Sequence, residues 1–209
     1  MTNRLRFSVQ KASEHLRKVD PVIASLIDAH GPYLPRPSME PYEYLVRTIL
    51  FQQLAGSAAS AIQQRFYKMH GDETETPTAQ QILETTDEAF RSVGVSRQKA
   101  SYLRDLAYHI VHGELEFEKL DEWNDDEISK HLTVVKGIGE WSAHMFLMFQ
   151  LGRPNVLPIG DLGIRAGMRI AYQLKEIPSP QEARAIGEPW APYRSVASWY
   201  MWRAVETPP

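Results

Sequence analysis

Helix starts and stops punctuate this chain from end to end, and almost nothing in it alternates as a half-buried strand would. Asp20-Pro21 puts an acid at an N-cap and proline at the first helical position, and Gly31 closes that helix. The stretch from Gly31 to Pro41 is a proline-rich loop. Pro41 to Gln53, with Tyr44, Leu45, Ile49 and Phe51, predicts a largely buried helix. Gly56-Ser57 marks a break, with Ser57 as the expected cap of a helix running to about His70. Thr76-Pro77 opens another, after a polar loop over residues 71–76. Gly94 ends a short segment around Phe90, and Ser96 caps a helix from Arg97 to His112 that Gly113 closes. Asn124 or Asp125 begins a further helix, with Ile128 and Leu132 on one face. The pattern predicts an all-α fold of about nine or ten helices, without repeats, low-complexity segments or long linkers.

The 209 residues allow one domain, or two small lobes sharing an interface. An apolar content of 43% is enough for a core, and no apolar run is long enough to span a bilayer. The segment Met1 to Phe7 carries no apolar signal core, so a cytosolic protein is expected. With no cysteine there is no disulfide, no thiolate zinc site and no ligand set for an iron–sulfur cluster. None of the seven histidines belongs to a metal-spaced cluster. The net charge of −3 argues against a large basic footprint for nucleic acid. Backbone N–H groups at helix starts nonetheless bind phosphate without formal charge.

Such a start is prominent in Val135-Lys136-Gly137-Ile138-Gly139-Glu140-Trp141-Ser142-Ala143. Two glycines one residue apart stand between two helical patterns, with Ser142 and Ala143 expected at the beginning of the second. On its own this is a short turn between packed helices. Downstream, Pro158-Ile159-Gly160-Asp161 ends a loop and sets Asp161 at the N-cap of a helix over Leu162 to Leu174. Hairpin, connecting helix and loop-ending aspartate together resemble the helix-hairpin-helix-Gly-Pro-Asp DNA glycosylase superfamily. The tail Trp190-Ala191-Pro192-Tyr193-Arg194-Ser195, with Trp199 and Trp202 beyond it, is similar to that of the 3-methyladenine DNA glycosylase II branch. The resemblance covers roughly residues 40 to 205.

That resemblance implies two helical lobes with a cleft between them: about residues 41–125, and residues 1–40 joined with 126–209. Residues 1–40 are too few for the β-rich N-terminal domain of larger members. It implies a DNA glycosylase of base excision repair that flips and removes alkylated bases such as 3-methyladenine and 7-methylguanine. Asp161 matches the catalytic carboxylate, which stabilises positive charge developing on the sugar. Trp141, Met145 and Trp202 match positions lining the base pocket, where aromatic faces favour a cationic purine. Met145 stands where that branch has tyrosine. Leu54 in Gln52-Gln53-Leu54-Ala55-Gly56 matches the wedge that fills the hole left by a flipped base, with Gln53 beside it facing the orphaned strand. Gly137, Gly139 and Ser142 match the hairpin's phosphate-binding amides. Carbonyls of Thr133, Val135 and Ile138 match a candidate structural sodium or potassium site, and no cofactor is required.

Trp141 also occupies the position of the nucleophilic lysine in the superfamily's lyases, and tryptophan forms no Schiff base. A monofunctional enzyme is therefore expected. It would act as a monomer on damaged double-stranded DNA, at the nucleoid in the cytoplasm or in the nucleus of a eukaryote. Trp190, Tyr193, Arg194 and Trp199 read as structural and Arg165 as a buried ion-pair partner. Lys136 reads as solvated or phosphate-facing, and Lys99 is a candidate phosphate contact. The residues leave other classes open: a damage-binding protein with little catalysis, a glycosylase for uracil, mispaired or oxidised bases, or a helical interaction module with no DNA role.

Overall fold

The computed structural model describes residues 5–35 and 37–207. Residues 1–4 of the N-terminal segment read above lie outside them. Among the described residues there are twelve α-helices and no strand. They are α1 (Val9–Val19), α2 (Pro21–His30), α3 (Pro41–Phe51), α4 (Gly56–Met69), α5 (Ala79–Glu84), α6 (Asp87–Ser92), α7 (Arg97–Val111), α8 (Asp125–Leu132), α9 (Glu140–Met145), α10 (Leu162–Ala171), α11 (Pro180–Gly187) and α12 (Arg194–Glu206). No helix among these residues is long and apolar enough to cross a membrane.

The chain divides into two compact units, one formed by Met1–Ser38 with His144–Pro209 and the other by Met39–Ala143. Sequence reading drew the second boundary near residue 125. The division instead falls within α9, so the Gly-Ile-Gly hairpin belongs to the continuous unit. The physical reason is local: α7 holds the hairpin. Asp105 accepts the Lys136 backbone N–H at 2.8 Å and pairs with its ammonium at 3.1 Å.

Side-chain caps define most helix starts. Asp20 accepts from Val22 and Ile23 at 2.9 and 3.2 Å, Ser96 from Lys99, and Asn124 forms a capping box with Glu127. Other boundaries differ from expectation. Thr78, not Thr76, caps α5, because Gln81 completes a reciprocal capping box with it. Ser57 caps nothing: α4 begins at Gly56 after Ala55, without any side-chain cap. Helices α1 and α11 raise the count beyond nine or ten, capped by Ser8 and Ser179. Helix α10 stops at Ala171, three residues before the expected end.

The discontinuous unit is centred on α10 and α12. Gly167 lets them touch: a Cβ there would lie 2.0 Å from the Met201 carbonyl oxygen. Around this crossing Leu16, Ile23, Leu26, Met168, Trp190 and Tyr200 form one buried cluster. Asp20 ties it together. One carboxylate oxygen caps α2, and the other accepts the Tyr172 hydroxyl at 2.5 Å and the Trp190 indole N–H at 2.9 Å. Burial, reinforced by the Asp20 carboxylate, raises the Tyr172 phenol well above its ordinary range. The continuous unit buries Leu45, Ile49, Leu50, Phe66, Phe90, Leu103 and Leu106, with Phe66 and Phe90 stacked at 5.5 Å.

Candidate active site

Asp161 is set in place from both sides along the chain. On the incoming side, Ser195 at the start of α12 gathers the preceding loop: its N–H donates to the Pro154 carbonyl at 2.9 Å and its hydroxyl to the Arg153 carbonyl at 2.7 Å. The same hydroxyl accepts the Val156 N–H at 3.0 Å. A turn then closes with the Asp161 N–H on the Pro158 carbonyl at 2.9 Å. On the outgoing side, Asp161 Oδ1 accepts the Ile164 N–H at 2.7 Å, the N-cap bond expected for this position.

A second donor reaches the same oxygen. Trp202 Nε1, from α12, donates to Asp161 Oδ1 at 3.0 Å. Neither bond uses Oδ2. The carboxylate is buried, at 9% exposure, and these two neutral donors fix the orientation of Oδ1. That arrangement orients a carboxylate at the N–H edge of an indole, and an anion held in a fixed orientation can stabilise a transient cation. Gly163 makes the contact possible. A Cβ at residue 163 would stand 3.0 Å from Trp202 Cδ1, 3.1 Å from Trp202 Nε1 and 3.1 Å from Asp161 Oδ1.

Phe149 completes the aromatic side of this group. It lies in a π-turn, Phe146–Gln150, with its ring 5.8 Å from that of Trp202 at 33°. Sequence reading missed both Gly163 and Phe149. The two glycines Gly163 and Gly167, one helical turn apart inside a helix where glycine is costly, were the available signal of close approach. Met145 is buried at the end of α9. Arg165 donates to the Pro178 carbonyl at 3.1 Å, a backbone contact in place of the expected ion pair. Trp190, Tyr193, Arg194 and Trp199 are structural as read. Trp190 is fully buried, Arg194 bonds Gly187 and Glu188, and the rings of Tyr193 and Trp199 pack on Phe7, His15 and Tyr33.

The continuous unit carries the other candidates. Helices α8 and α9 flank the hairpin, and α9 begins at Glu140, two residues earlier than expected. Its first internal bond runs from the Ala143 N–H to the Gly139 carbonyl at 3.0 Å. The two glycines have different reasons. Gly137 sits at φ +84° with Tyr102 so close that a Cβ would fall 2.2 Å from its ring. At Gly139 a Cβ would meet nothing within 4 Å, so its backbone borders open space. Val135 and Ile138 bury their side chains, as does Ser142, whereas Thr133 is exposed. Trp141 is half exposed.

Leu54 is 41% exposed between α3 and α4, and Gln53 before it adopts φ +56°, unusual for a residue with a side chain. Two contacts brace this loop. Lys99 Nζ, a candidate phosphate contact in the sequence, donates to the Leu50 carbonyl at 2.6 Å and closes the end of α3. Its partial burial lowers its pKa from the ordinary lysine value. Gln52 Nε2 donates to the Gly137 carbonyl at 2.7 Å. No group of His, Asp and Glu suited to a metal occurs among the described residues.

Residues 46–192 match the family described as "HhH-GPD superfamily base excision DNA repair protein". The chain is 36% identical over 200 residues to DNA-3-methyladenine glycosylase 1 of Schizosaccharomyces pombe, covering 94% of this chain and 87% of that one. Among solved structures it resembles the 3-methyladenine DNA glycosylase of the same organism in complex with abasic DNA. There the TM-score is 0.84 at 35% identity, covering 95% of this chain and 98% of that one. A DNA-3-methyladenine glycosidase from Bacillus halodurans is similar at a TM-score of 0.83 and 34% identity, with 94% and 89% covered. With a family match over more than half its length, a capped aspartate after the hairpin and near-complete coverage by these relatives, the chain belongs to the HhH-GPD superfamily of base excision DNA repair proteins.

Proposed function

We propose that this protein is a monofunctional DNA glycosylase that excises alkylated purines, 3-methyladenine and 7-methylguanine first, and leaves an abasic site. The observation that carries the reading is Asp161, a buried carboxylate fixed by the Ile164 N–H and the Trp202 indole in a chain so similar to 3-methyladenine glycosylases. In the reaction the C1′–N bond breaks and its electron pair leaves with the base. A purine methylated at N3 or N7 is already cationic, so it departs neutral and needs no general acid. Asp161 faces the resulting sugar cation until water adds at C1′ and gives up a proton. The ring of Trp202, whose N–H bonds Asp161, offers an electron-rich face to a cationic base.

Duplex DNA is the partner, held by amides at Gly137, Gly139 and Ser142 while Leu54 fills the stack beside Gln53. A sodium or potassium ion would be held at the hairpin by the carbonyls of Thr133, Val135 and Ile138. Thr133 and Ile138 contribute one each, and the Val135 oxygen, which accepts the Ile138 N–H at 3.0 Å, retains a second lone pair. Such an ion would supply fixed positive charge beside a phosphate. The enzyme works as a monomer, at the nucleoid in the cytoplasm or in the nucleus of a eukaryote. Duplexes carrying one defined lesion each, followed by alkali, test the reading. Cleavage at 7-methylguanine and 3-methyladenine is expected. Cleavage confined to uracil or 8-oxoguanine overturns the substrate class, and lesion binding without cleavage anywhere overturns the enzyme.

A further inference from the structure

The loop that carries Leu54 and the hairpin that carries Gly137 are far apart in sequence, yet one side chain joins them. Gln52 Nε2 donates to the Gly137 carbonyl at 2.7 Å. Three features make this bond a brace. First, Gln52 leaves α3 at φ −54° and ψ 132°, so it begins the loop and is the first of the three residues Gln52-Gln53-Leu54. Second, the next residue is held at φ +56°, a conformation that a side-chain-bearing residue keeps only where its surroundings fix it. Third, the accepting carbonyl belongs to Gly137, which adopts φ +84° with the Tyr102 ring packed where a Cβ would be.

We infer that Gln52 is a positioning residue that couples the hairpin to the wedge, so that seating the hairpin on a phosphate sets the depth at which Leu54 enters the stack. The inference rests on the proposed DNA glycosylase activity. Helix α7 (Arg97–Val111) is the common backing of both ends. Its Lys99 holds the Leu50 carbonyl, its Tyr102 abuts Gly137, and its Asp105 holds the Lys136 N–H. These contacts fix each end to α7, and the Gln52 amide is the direct link between loop and hairpin. A carboxamide is suited to this role. It donates to a carbonyl without placing a charge at a surface that meets a polyanion, whereas a carboxylate of the same size would repel both the carbonyl and the DNA.

The test uses Gln52→Glu, which keeps the length of the side chain and removes the donor, with Gln52→Ala, Leu54→Ala and the two double variants. Single-turnover excision from a duplex lesion is measured for all of them. A 2-aminopurine beside the lesion reports unstacking at saturating protein. Loss of one neutral hydrogen bond corresponds to about a five- to tenfold fall in rate. Each Gln52 variant is expected to show that fall and a smaller 2-aminopurine signal, with an unchanged melting temperature. In the Leu54→Ala background Gln52→Ala, which adds no charge, is expected to cost less than twofold, because the group being positioned is gone. Additive losses, or a wild-type 2-aminopurine signal with Gln52→Glu, overturn the coupling. A fall in melting temperature with normal excision by the folded fraction also overturns it and leaves Gln52 a structural residue. Wild-type protein inactive on every lesion would refute the enzyme reading instead, a result distinguishable from all of these.

Discussion

Gly163→Ala should slow base excision without loosening the fold. Position 163 is the second residue of α10, and a Cβ there would stand 3.0 Å from Trp202 Cδ1 and 3.1 Å from both Trp202 Nε1 and Asp161 Oδ1. These separations are tighter than ordinary van der Waals contact, so the indole and carboxylate must part by a few tenths of an ångström. Their hydrogen bond already spans 3.0 Å and weakens as it lengthens. A hydrogen bond to an ionised acceptor is worth about 1.5–3 kcal/mol, which sets a ceiling of roughly 10- to 150-fold in rate. A stretched bond forfeits part of this, so a loss of about five- to twentyfold is expected. Stability should change little, since alanine in a helix gains about 0.5–1 kcal/mol over glycine and so offsets part of what the strained bond loses. The assay is single-turnover excision of 7-methylguanine from a duplex, beside thermal unfolding. Trp202→Phe, which keeps a ring and removes the N–H, should give an equal or larger loss, up to that ceiling, to which Gly163→Ala adds little. A wild-type excision rate in the folded Gly163→Ala protein would refute the claim that this bond sets the carboxylate.

Three further outcomes are expected. Leu54→Ala should lower the melting temperature little, because the side chain is 41% exposed, while slowing excision from duplexes severalfold; a core-sized loss of about 2–5 kcal/mol would mark Leu54 as packing. Borohydride added during turnover should trap no protein–DNA adduct, because Trp141 stands in place of the lyase lysine, and a strong trapped band would contradict this. Burial holds the imidazoles of His70 and His131 below the ordinary histidine value, so the unfolded chain binds protons more readily than the folded one. Stability from these groups is therefore complete above pH about 6.5 and declines as pH falls below it. Replacing both by asparagine should flatten the dependence of melting temperature on pH below about 6.5, and an unchanged slope would show that neither contributes.

What could be read in the sequence was whatever has a residue signature. Asp20, Ser96 and Asp161 are legible as caps because a side-chain oxygen must stand just outside a helix, whereas Asn124 and Asp125 both offer one and the sequence leaves the choice open. At Thr76-Pro77-Thr78 two rules competed. Proline at N1 favoured Thr76, but Gln81 three residues after Thr78 offers a reciprocal bond, and that won. The start of α4 had no signature, since backbone geometry at Ala55 and Gly56 makes it without a cap. Lys99 shows the limit most clearly. Its ammonium contacts a carbonyl 49 residues away, and nothing local distinguishes that from a solvent-facing lysine. The Asp161–Trp202 pair was legible only as two separate residues with family roles. That one indole bonds one carboxylate oxygen across Gly163 depends on how α10 and α12 cross, which no local pattern encodes.

The account stands on the charge of Asp161, and Asp161→Asn isolates it. The asparagine oxygen can still accept from the Ile164 N–H and the Trp202 indole, so the cap and the site geometry persist while the negative charge is lost. Single-turnover excision of 7-methylguanine should fall by orders of magnitude at a nearly unchanged melting temperature, with lesion DNA still bound. Near-normal excision by folded Asp161→Asn protein would contradict the assignment of this carboxylate to the chemistry.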